Sequence, residues 1–373
     1  MSSTPSRREF VKMAAIAAAG APFVPPLVRP LAHRVTPTPS ARPLGFAVVG
    51  LGSLATNQIA PALQKTKNCR LAAIVTGTPA KAVKWKAQYG IPDRSIYDYA
   101  TMDRLADNPD VDVVYVVTPN GLHARDTIKA AKAGKHVLCE KPMEVSEERC
   151  QAMIDAVKAA GRQLAIGYRC RFEPHHLEML RVARDKELGE VRMMEAAFGF
   201  PIGDPTQWRL KRALAGGGPL MDVGIYAIQS AEMIVGSYPI AVTAVETRKT
   251  DPVKFADVEE SLTFDLAFAN GVAASCMTSY KVGGMNRTTA FADRGTFGLT
   301  PAFNYDGIRG WRSDSKPLEG PEVDQFATEM DDFADCINAN RPTSVSGEMG
   351  LRDIRTMTAI YEAARTGRTV QIA

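Results

Sequence analysis

Three side chains at two places in the sequence have the chemistry to bind a hydroxyl group and exchange its proton. Lys141 stands in a Glu-Lys-Pro turn directly after the apolar run of residues 136–139, where it would orient or deprotonate a substrate hydroxyl. Asp222 and Tyr226 are four positions apart, so a helix would place them on one face. The alternatives are a solvated loop lysine, a helix-capping acid and a packed tyrosine, and spacing alone does not choose between them.

A glycine-rich turn precedes Lys141 by about a quarter of the chain. Gly50-Leu51-Gly52-Ser53-Leu54-Ala55 follows an apolar run and fits the pattern G-x-G-x-x-A. In that pattern the first glycine makes the turn, the second admits a pyrophosphate, and a small third residue packs the helix on the strand. The helix start then offers its amides to the phosphates, so the sequence predicts a dinucleotide site formed by residues 50–54.

The end of the next apolar run bears on which dinucleotide is bound. NAD-dependent enzymes usually place an acid there for the ribose 2′-hydroxyl. This chain has Thr76-Gly77-Thr78-Pro79-Ala80-Lys81 instead, which contains hydroxyls and a lysine but no acid. These residues suit a 2′-phosphate, which favours NADP, although Lys81 would also be explained as a solvated residue on a helix face.

The elements that position these residues alternate between short β-branched strands and helices over residues 44–162. That alternation predicts an α/β domain with a doubly wound parallel sheet. From residue 163 to residue 373 the pattern changes to five strand-like segments followed by two amphipathic helices. We therefore predict two domains, residues 44–162 and residues 163–373. The run Gly216–Gly218 is predicted as a flexible loop that feeds the helix carrying Asp222.

Composition excludes several classes of protein. Residues 1–36 hold five of the 45 basic residues and one of the 41 acids, so the remaining body is neutral and lacks the basic cluster of a nucleic-acid-binding protein. The six cysteines show no CxxC or other metal-like spacing, and we expect them to be structural and the protein to hold no metal.

The amino terminus resembles a signal for export of folded proteins. Arg7 and Arg8 precede a short apolar run over residues 11–21, which is too short to span a bilayer. A proline-rich stretch follows over residues 22–43, and we predict an extended arm that starts there and ends with residues 37–43. We expect this segment to pack along the body or a neighbouring subunit and to help retain the cofactor. The expected location is the periplasm, reached through the export machinery for folded proteins, with no stable membrane insertion.

Several longer motifs occur in one order along the chain. They are the G-x-G-x-x-A turn, T-P-N-x-x-H (residues 118–123), E-K-P, IGYRCRFEP, QWRLKRALAGGGPLMDVGIY and AIYEAARTGR. With them the sequence resembles the glucose–fructose oxidoreductase/inositol dehydrogenase (Gfo/Idh/MocA) family over residues 44–370. The likeness is greatest to the glucose–fructose and aldose–aldose oxidoreductase branch.

The resemblance implies a Rossmann domain followed by a C-terminal α/β domain with an open-faced, mostly antiparallel sheet. In such proteins the exposed sheet face is usually an oligomer contact, which implies a homodimer or homotetramer. The resemblance also implies that Lys141, Asp222 and Tyr226 are catalytic and, with Arg169 and Trp208, bind the sugar. Trp208 would equally suit packing between domains. The implied cofactor-binding residues are Gly50, Leu51, Gly52, Ser53, Leu54, Thr76, Gly77, Thr78, Lys81, Thr118, Asn120, His123, Glu140, Lys141, Arg169, Trp208 and Arg209.

The implied activity is oxidation of a cyclic aldose at C1 with reduction of an open-chain aldose or a ketose to an alditol, on tightly bound NADP(H). Many relatives carry His where this chain has Tyr226; a free phenol titrates near 10, so a tyrosine there needs a nearby cation, which Lys141 would supply. Export in the folded state explains why the cofactor would be tightly held and recycled in place. The alternatives are a single-substrate sugar dehydrogenase with exchangeable cofactor, an exported NAD-dependent glycosidase, and a non-catalytic sugar-binding protein.

Overall fold

The computed structural model describes residues 42–372, so the predicted export signal and most of the predicted arm lie outside the described residues. Contacts divide the described chain into two compact units. The first contains residues 42–172 and 323–354, and the second contains residues 173–322 and 355–372.

The first unit is built on a six-stranded parallel sheet in the order β3-β2-β1-β4-β5-β6. Its central strands are apolar and buried along their whole length, as expected where helices cover both faces. This confirms the predicted doubly wound sheet. The strands are β1 Leu44–Val49, β2 Cys69–Val75, β3 Ile96–Tyr97, β4 Val113–Val116, β5 His136–Glu140 and β6 Leu164–Gly167.

Helices connect these strands. The first, α1, begins as a π turn over Ala55–Ile59 and continues as Ala60–Leu63. A left-handed glycine, Gly90, ends α2. The others are α2 Pro79–Tyr89, α3 His123–Lys132 and α4 Glu147–Ala159.

The helix α8, Gln325–Asn338, comes after residues 173–322 of the second unit in sequence but belongs to the first unit. Asp324 caps it by accepting a hydrogen bond from the amide of Ala327 at 3.2 Å. The next helix, α9 Gly347–Thr366, starts in the first unit and passes into the second at residues 354–355. The predicted boundary at residues 162–163 falls within the first unit, whose continuous stretch extends to Phe172. An amphipathic pattern predicts a helix but does not say which sheet the helix covers.

The second unit contains an eight-stranded sheet in the order β13-β12-β11-β7-β10-β9-β8-β14. Only the pairing of β7 with β10 is parallel, so the sheet is mostly antiparallel, as the resemblance implied. The strands are β7 Val191–Gly199, β8 Pro239–Glu246, β9 Ser261–Phe268, β10 Ala273–Ser279, β11 Met285–Ala292, β12 Gly295–Leu299, β13 Gly310–Arg312 and β14 Val370–Gln371.

Helices pack against this sheet on the strands β7, β10, β11 and β12. The sheet's exposed apolar side chains include Met193 and Val245, which are 57% and 63% exposed. Alternation of buried and exposed residues along β7 and β9 fits a sheet with one open face. The helices of this unit are α5 Pro174–Arg184, α6 Arg212–Ala215 and α7 Ile225–Val235, the last preceded by a π turn over Leu220–Gly224.

Candidate active site

The predicted phosphate turn is formed at the carboxyl end of β1. Gly50 has a positive φ of 94°, and a Cβ there would lie 2.8 Å from the carbonyl oxygen of Val117. Around Gly52 the space is open, because a Cβ built there meets no atom within 4 Å. Ala55 is fully buried where the helix meets the sheet. The turn therefore leaves a cradle beside the first amides of α1 that suits a pyrophosphate.

The loop after β2, residues 76–81, is the one predicted to distinguish NADP from NAD, and its first residue holds it in place. Thr76 is buried, and its hydroxyl accepts a hydrogen bond from the amide of Thr78 at 3.2 Å. Lys81 is exposed on the first turn of α2. A Cβ on Gly77 would lie 3.2 Å from the ring of Tyr99, so this ring borders the loop. Sequence reasoning missed Tyr99, since nothing in its local pattern places it beside a loop 22 residues earlier.

The T-P-N-x-x-H segment joins the end of β4 to the E-K-P turn. His123 is buried, with Nε2 2.7 Å from the carbonyl oxygen of Thr118 and Nδ1 3.0 Å from that of Pro142. Burial lowers the pKa of His123. Both ring nitrogens thus lie within hydrogen-bond distance of backbone carbonyl oxygens, and His123 positions the turn. Its contact with the cofactor stays a prediction. Asn120 is also buried.

The E-K-P turn follows β5 directly. Glu140 is buried below it and accepts a hydrogen bond from the hydroxyl of Tyr115 at 2.8 Å. Burial raises the pKa of Glu140, and the positive charge of Lys141 opposes that rise. Lys141 itself is half-exposed at the carboxyl edge of the parallel sheet, where open α/β sheets bind ligands.

Arg169, which the resemblance assigns to cofactor and sugar binding, is buried. It is 3% exposed, and its guanidinium donates to the side-chain oxygen of Gln325 at the start of α8. The guanidinium also lies 6.0 Å from the ring centroid of Phe326. The structure thus places Arg169 against α8, within the first unit.

In the second unit, Asp222 and Tyr226 share a face, as their spacing predicts. From residue 217 to residue 234 these two are the only residues that are not buried. Tyr226 packs against the rings of Phe198 and Phe303, with centroids 5.4 and 5.7 Å away. The phenol and the carboxylate are thus the partly exposed groups of an otherwise buried stretch, where they could contact a ligand, and their catalytic role stays a prediction.

The carboxylate of Asp222 is held by two donors. Arg209 Nε and the hydroxyl of Tyr280 both donate to its Oδ2, each at 2.9 Å. The negative charge of Asp222 raises the pKa of Arg209. The Arg209 guanidinium also lies 4.7 Å from the ring centroid of Trp208, a cation–π contact. Sequence reasoning missed Tyr280, which ends an apolar strand pattern 58 residues after Asp222.

The triple-glycine segment is packed, which corrects the prediction of a flexible loop. Gly217 and Gly218 are buried, and the carboxylate of Glu259 accepts hydrogen bonds from the amides of Gly218 and Leu220 at 2.8 and 3.0 Å. The hydroxyl of Tyr361 donates to the same carboxylate at 2.9 Å. Glu259 therefore fixes the turn from which the helix carrying Asp222 begins.

Metal and thiol chemistry find no support in the part of the chain that the structure describes. No three His, Cys, Asp or Glu side chains within residues 42–372 are grouped so as to hold a metal ion. The six cysteines form no disulfide there, and five are buried. Burial raises the pKa of these five thiols, so their nucleophilic form is disfavoured. Among the described helices, none is both long and apolar enough to cross a membrane.

An open phosphate cradle beside a parallel sheet, with a lysine at that sheet's carboxyl edge, is what a dinucleotide-dependent oxidoreductase requires. The chain belongs to the Gfo/Idh/MocA oxidoreductase family. Residues 44–168 match the model of the oxidoreductase family with an NAD-binding Rossmann fold. Residues 176–298 match the model of the GFO/IDH/MocA C-terminal domain. This confirms the resemblance drawn from the motifs.

Similar proteins act on sugars. The crystal structure of aldose–aldose oxidoreductase from Caulobacter crescentus, complexed with glycerol, is 46% identical, with a TM-score of 0.85 over 88% of this chain and 100% of that one. The NADP⁺-dependent D-xylose 1-dehydrogenase of Haloarcula marismortui is 30% identical over 349 residues, which are 90% of this chain and 95% of the relative. A second such enzyme, from Haloferax volcanii, is 29% identical over 334 residues, 88% of this chain and 99% of the relative. The protein is a sugar oxidoreductase.

Proposed function

We propose that the protein is an aldose–aldose oxidoreductase that oxidises cyclic aldoses at C1 to lactones and reduces open-chain aldoses, or a ketose, to alditols. The cofactor is NADP(H), held tightly and recycled in place. The observation that carries the proposal is the 46% identity to an aldose–aldose oxidoreductase over the whole length of that structure. This chain carries the E-K-P lysine and the pair Asp222 and Tyr226 that the proposal requires.

The preference for NADP rests on the loop after β2. Thr76, Thr78 and Lys81 would hold the 2′-phosphate through hydroxyls, helix-start amides and a positive charge, and residues 76–81 contain no acid to repel it. The phosphate turn of residues 50–54 would hold the pyrophosphate. The dinucleotide, when bound, supplies hydride exchange with carbon.

Lys141 and Tyr226 carry the proton in this proposal. During oxidation they take the proton from the O1 hydroxyl of the cyclic aldose, and during reduction they return one to the aldehyde oxygen of the open chain. Asp222, fixed by Arg209 and Tyr280, presents a carboxylate whose orientation is already set. Such a carboxylate binds a sugar hydroxyl without the entropy cost of ordering it.

The proposed location is the periplasm, on the strength of the twin-arginine segment at residues 7–8. A dissociating NADP would be lost there, so a cofactor loaded before export must be retained and regenerated by alternating substrates. Fusion of residues 1–43 to a reporter that fluoresces only when exported folded tests this part. Loss of export on replacing Arg7 and Arg8 with lysine is the expected result, and an unchanged signal would contradict it.

The first test is chemical identification of the cofactor. The purified protein is passed through gel filtration and extracted with acid, and we expect NADP or NADPH in near-stoichiometric amount. Native mass spectrometry with a panel of aldoses should then show the bound cofactor cycling between its two redox states. An extract with only NAD, or with no dinucleotide, would refute tight NADP binding.

The second test separates the two proton-transfer groups. Tyr226→Phe removes one hydroxyl and should slow single-turnover hydride transfer, with folding and bound cofactor unchanged. Lys141→Ala removes a cation as well and should have the larger effect, each within the about 10²–10⁴-fold typical of positioned acid–base groups. If Tyr226→Phe matches the wild type within about threefold in both directions, Lys141 acts alone.

A second candidate function is a single-substrate sugar dehydrogenase with exchangeable cofactor. The similarity to the xylose dehydrogenase of Haloarcula marismortui favours it. The two functions differ in one measurement, because an exchangeable cofactor is lost in gel filtration and restores activity when NADP⁺ is added. A tightly bound cofactor survives, and added NADP⁺ has no effect.

The proposed oligomer is a homodimer or homotetramer formed through the open face of the eight-stranded sheet. Met193 and Val245 are exposed on that sheet, where burial against a second copy would remove apolar surface from water. Light scattering of the Met193→Lys, Val245→Lys double variant should show a smaller assembly than the wild type. An unchanged mass would contradict this interface.

A further inference from the structure

Two buried carboxyl groups meet at one phenol beneath the E-K-P turn. Glu140, at the end of β5, is 6% exposed, Glu329 on α8 is 1% exposed, and Tyr115 on β4 is fully buried between them. The Tyr115 hydroxyl oxygen lies 2.8 Å from Glu140 Oε1 and 3.4 Å from Glu329 Oε2. All three side chains belong to the first unit. Glu140 immediately precedes Lys141 in the chain.

The phenol has one proton and cannot donate to both carboxyls. The shorter distance assigns its hydrogen bond to Glu140. If Glu329 were ionised, two negative charges would lie on either side of the phenol in a low-dielectric interior. No proton would then lie between Glu329 Oε2 and the Tyr115 hydroxyl oxygen, because the phenol proton is donated to Glu140. The other oxygen, Glu329 Oε1, is buried and has no hydrogen-bond partner among the described residues. An ionised Glu329 would therefore be poorly satisfied.

The surrounding charges also favour an ionised Glu140 and a protonated Glu329. Lys141 and Arg169 both act on Glu140 and favour its ionised form. Glu329 is influenced by Arg169, but also by the negative charges of Glu140 and Asp332. Burial raises the pKa of Glu329 well above its usual value, whereas for Glu140 the two cations oppose the rise. The pair therefore shares one negative charge, carried mainly by Glu140.

We propose that Glu329 is a neutral carboxylic acid that donates its proton to the Tyr115 hydroxyl, which in turn donates to ionised Glu140. The result is a directional hydrogen-bond chain that fixes the Glu140 carboxylate beneath the E-K-P turn. Glu329 and Tyr115 are thus positioning residues for Lys141, and only this last step rests on the proposed function. The chain also explains why an acid from a later helix is buried in the first unit.

The isosteric replacement Glu329→Gln is the central variant. Its side-chain amide keeps a donor toward Tyr115, whereas Glu329→Leu removes it and Tyr115→Phe breaks the chain in the middle. Glu140→Gln is the matched variant that removes the charge instead of the proton. These four variants separate loss of a neutral donor from loss of a buried negative charge.

Infrared difference spectroscopy of the purified holoprotein reads the proton directly. The wild-type minus Glu329→Gln spectrum at pH 7 should show the carbonyl stretch of a protonated carboxylic acid that shifts in D₂O, and Glu140→Gln should retain that band. Absence of the band, or its loss in Glu140→Gln but not in Glu329→Gln, would overturn the proposal. This readout needs no substrate, so it stands even if no sugar is turned over.

Single-turnover hydride transfer then tests the positioning role. Glu329→Gln should match the wild type within about threefold, while Glu329→Leu and Tyr115→Phe should each be slower by about tenfold, as expected for losing one buried hydrogen bond of the chain. Cofactor content and the unfolding midpoint are measured for each variant, and the slower rate should persist in variants with full cofactor. Equal rates for Glu329→Leu and wild type, or equal slowing by Glu329→Gln and Glu329→Leu, would refute it.

Discussion

The two glycine-rich turns of this chain look alike in sequence but use glycine for opposite reasons. At the first turn, a Cβ on Gly52 would meet nothing within 4 Å. At the second, a Cβ on Gly217 would lie 1.8 Å from the hydroxyl oxygen of Tyr361, and one on Gly218 would lie 2.4 Å from the carbonyl oxygen of Glu259. The first turn keeps space open beside a helix start, and the second gives its space to the protein's own side chains.

This difference separates binding from folding. A side chain added at Gly52 would fill the cradle but collide with no part of the protein. A side chain added at the second would force apart buried groups that fix the start of the helix carrying Asp222. The two turns should therefore respond in opposite ways to the same Gly→Ala substitution.

Gly217→Ala should have the largest effect. Its methyl group would overlap Tyr361 Oη and Cζ, at 1.8 and 2.6 Å, and the Tyr361 hydroxyl is held in place by its hydrogen bond to Glu259. We expect a loss of at least about 1–3 kcal/mol in the free energy of unfolding, measured by urea denaturation. Gly203→Ala is the matched control, since a Cβ there meets nothing within 4 Å. Equal midpoints for the two variants would contradict the packing argument.

Gly52→Ala should show the reverse behaviour. The apoprotein should unfold at the same urea concentration as the wild type, because the new methyl group touches no protein atom. Dinucleotide binding should weaken by about tenfold or more, equivalent to about 1.4 kcal/mol, because the backbone can no longer approach the pyrophosphate closely. Calorimetric titration of the apoprotein measures this, and wild-type affinity in the variant would remove Gly52 from the binding site.

Thr76→Asp tests which dinucleotide the loop after β2 selects. An aspartate keeps an acceptor for the Thr78 amide but adds a charge that repels a 2′-phosphate and accepts from a ribose 2′-hydroxyl. We expect NADP affinity to fall by about tenfold and NAD affinity to rise. Lys81→Ala should weaken NADP alone, and Lys84→Ala, exposed on the same helix, serves as its control. Unchanged selectivity in Thr76→Asp would argue against this loop as the 2′-phosphate site.

What the sequence could predict depends on how far apart the interacting residues are. Strands, helices, the G-x-G-x-x-A turn and the shared face of Asp222 and Tyr226 follow from local periodicity and spacing. Tyr280 reaches Asp222 across 58 residues and Glu259 reaches Gly218 across 41, and no local pattern reports such contacts. The same limit explains why the triple glycine was predicted to be flexible: glycine permits both mobility and close approach, and only the partner distinguishes them.

The smallest expected effect is that of Tyr361→Phe. It removes one donor from Glu259, whose two oxygens still accept from the amides of Gly218 and Leu220, so the free energy of unfolding should fall by about 1 kcal/mol.

The pH dependence of that loss provides a separate check. Burial raises the pKa of the Tyr361 hydroxyl well above its usual value, so it stays protonated in the folded state, and its contribution is lost only as pH rises above the unfolded value of about 10. The difference between the variant and the wild type in the free energy of unfolding should therefore be constant from about pH 6 to 9.

A double variant tests the collision itself. In the Gly217→Ala background, Tyr361→Phe removes the nearest colliding atom, and the double variant should recover part of the stability lost by Gly217→Ala alone. Strictly additive losses would show that the collision with Tyr361 is not what the glycine avoids.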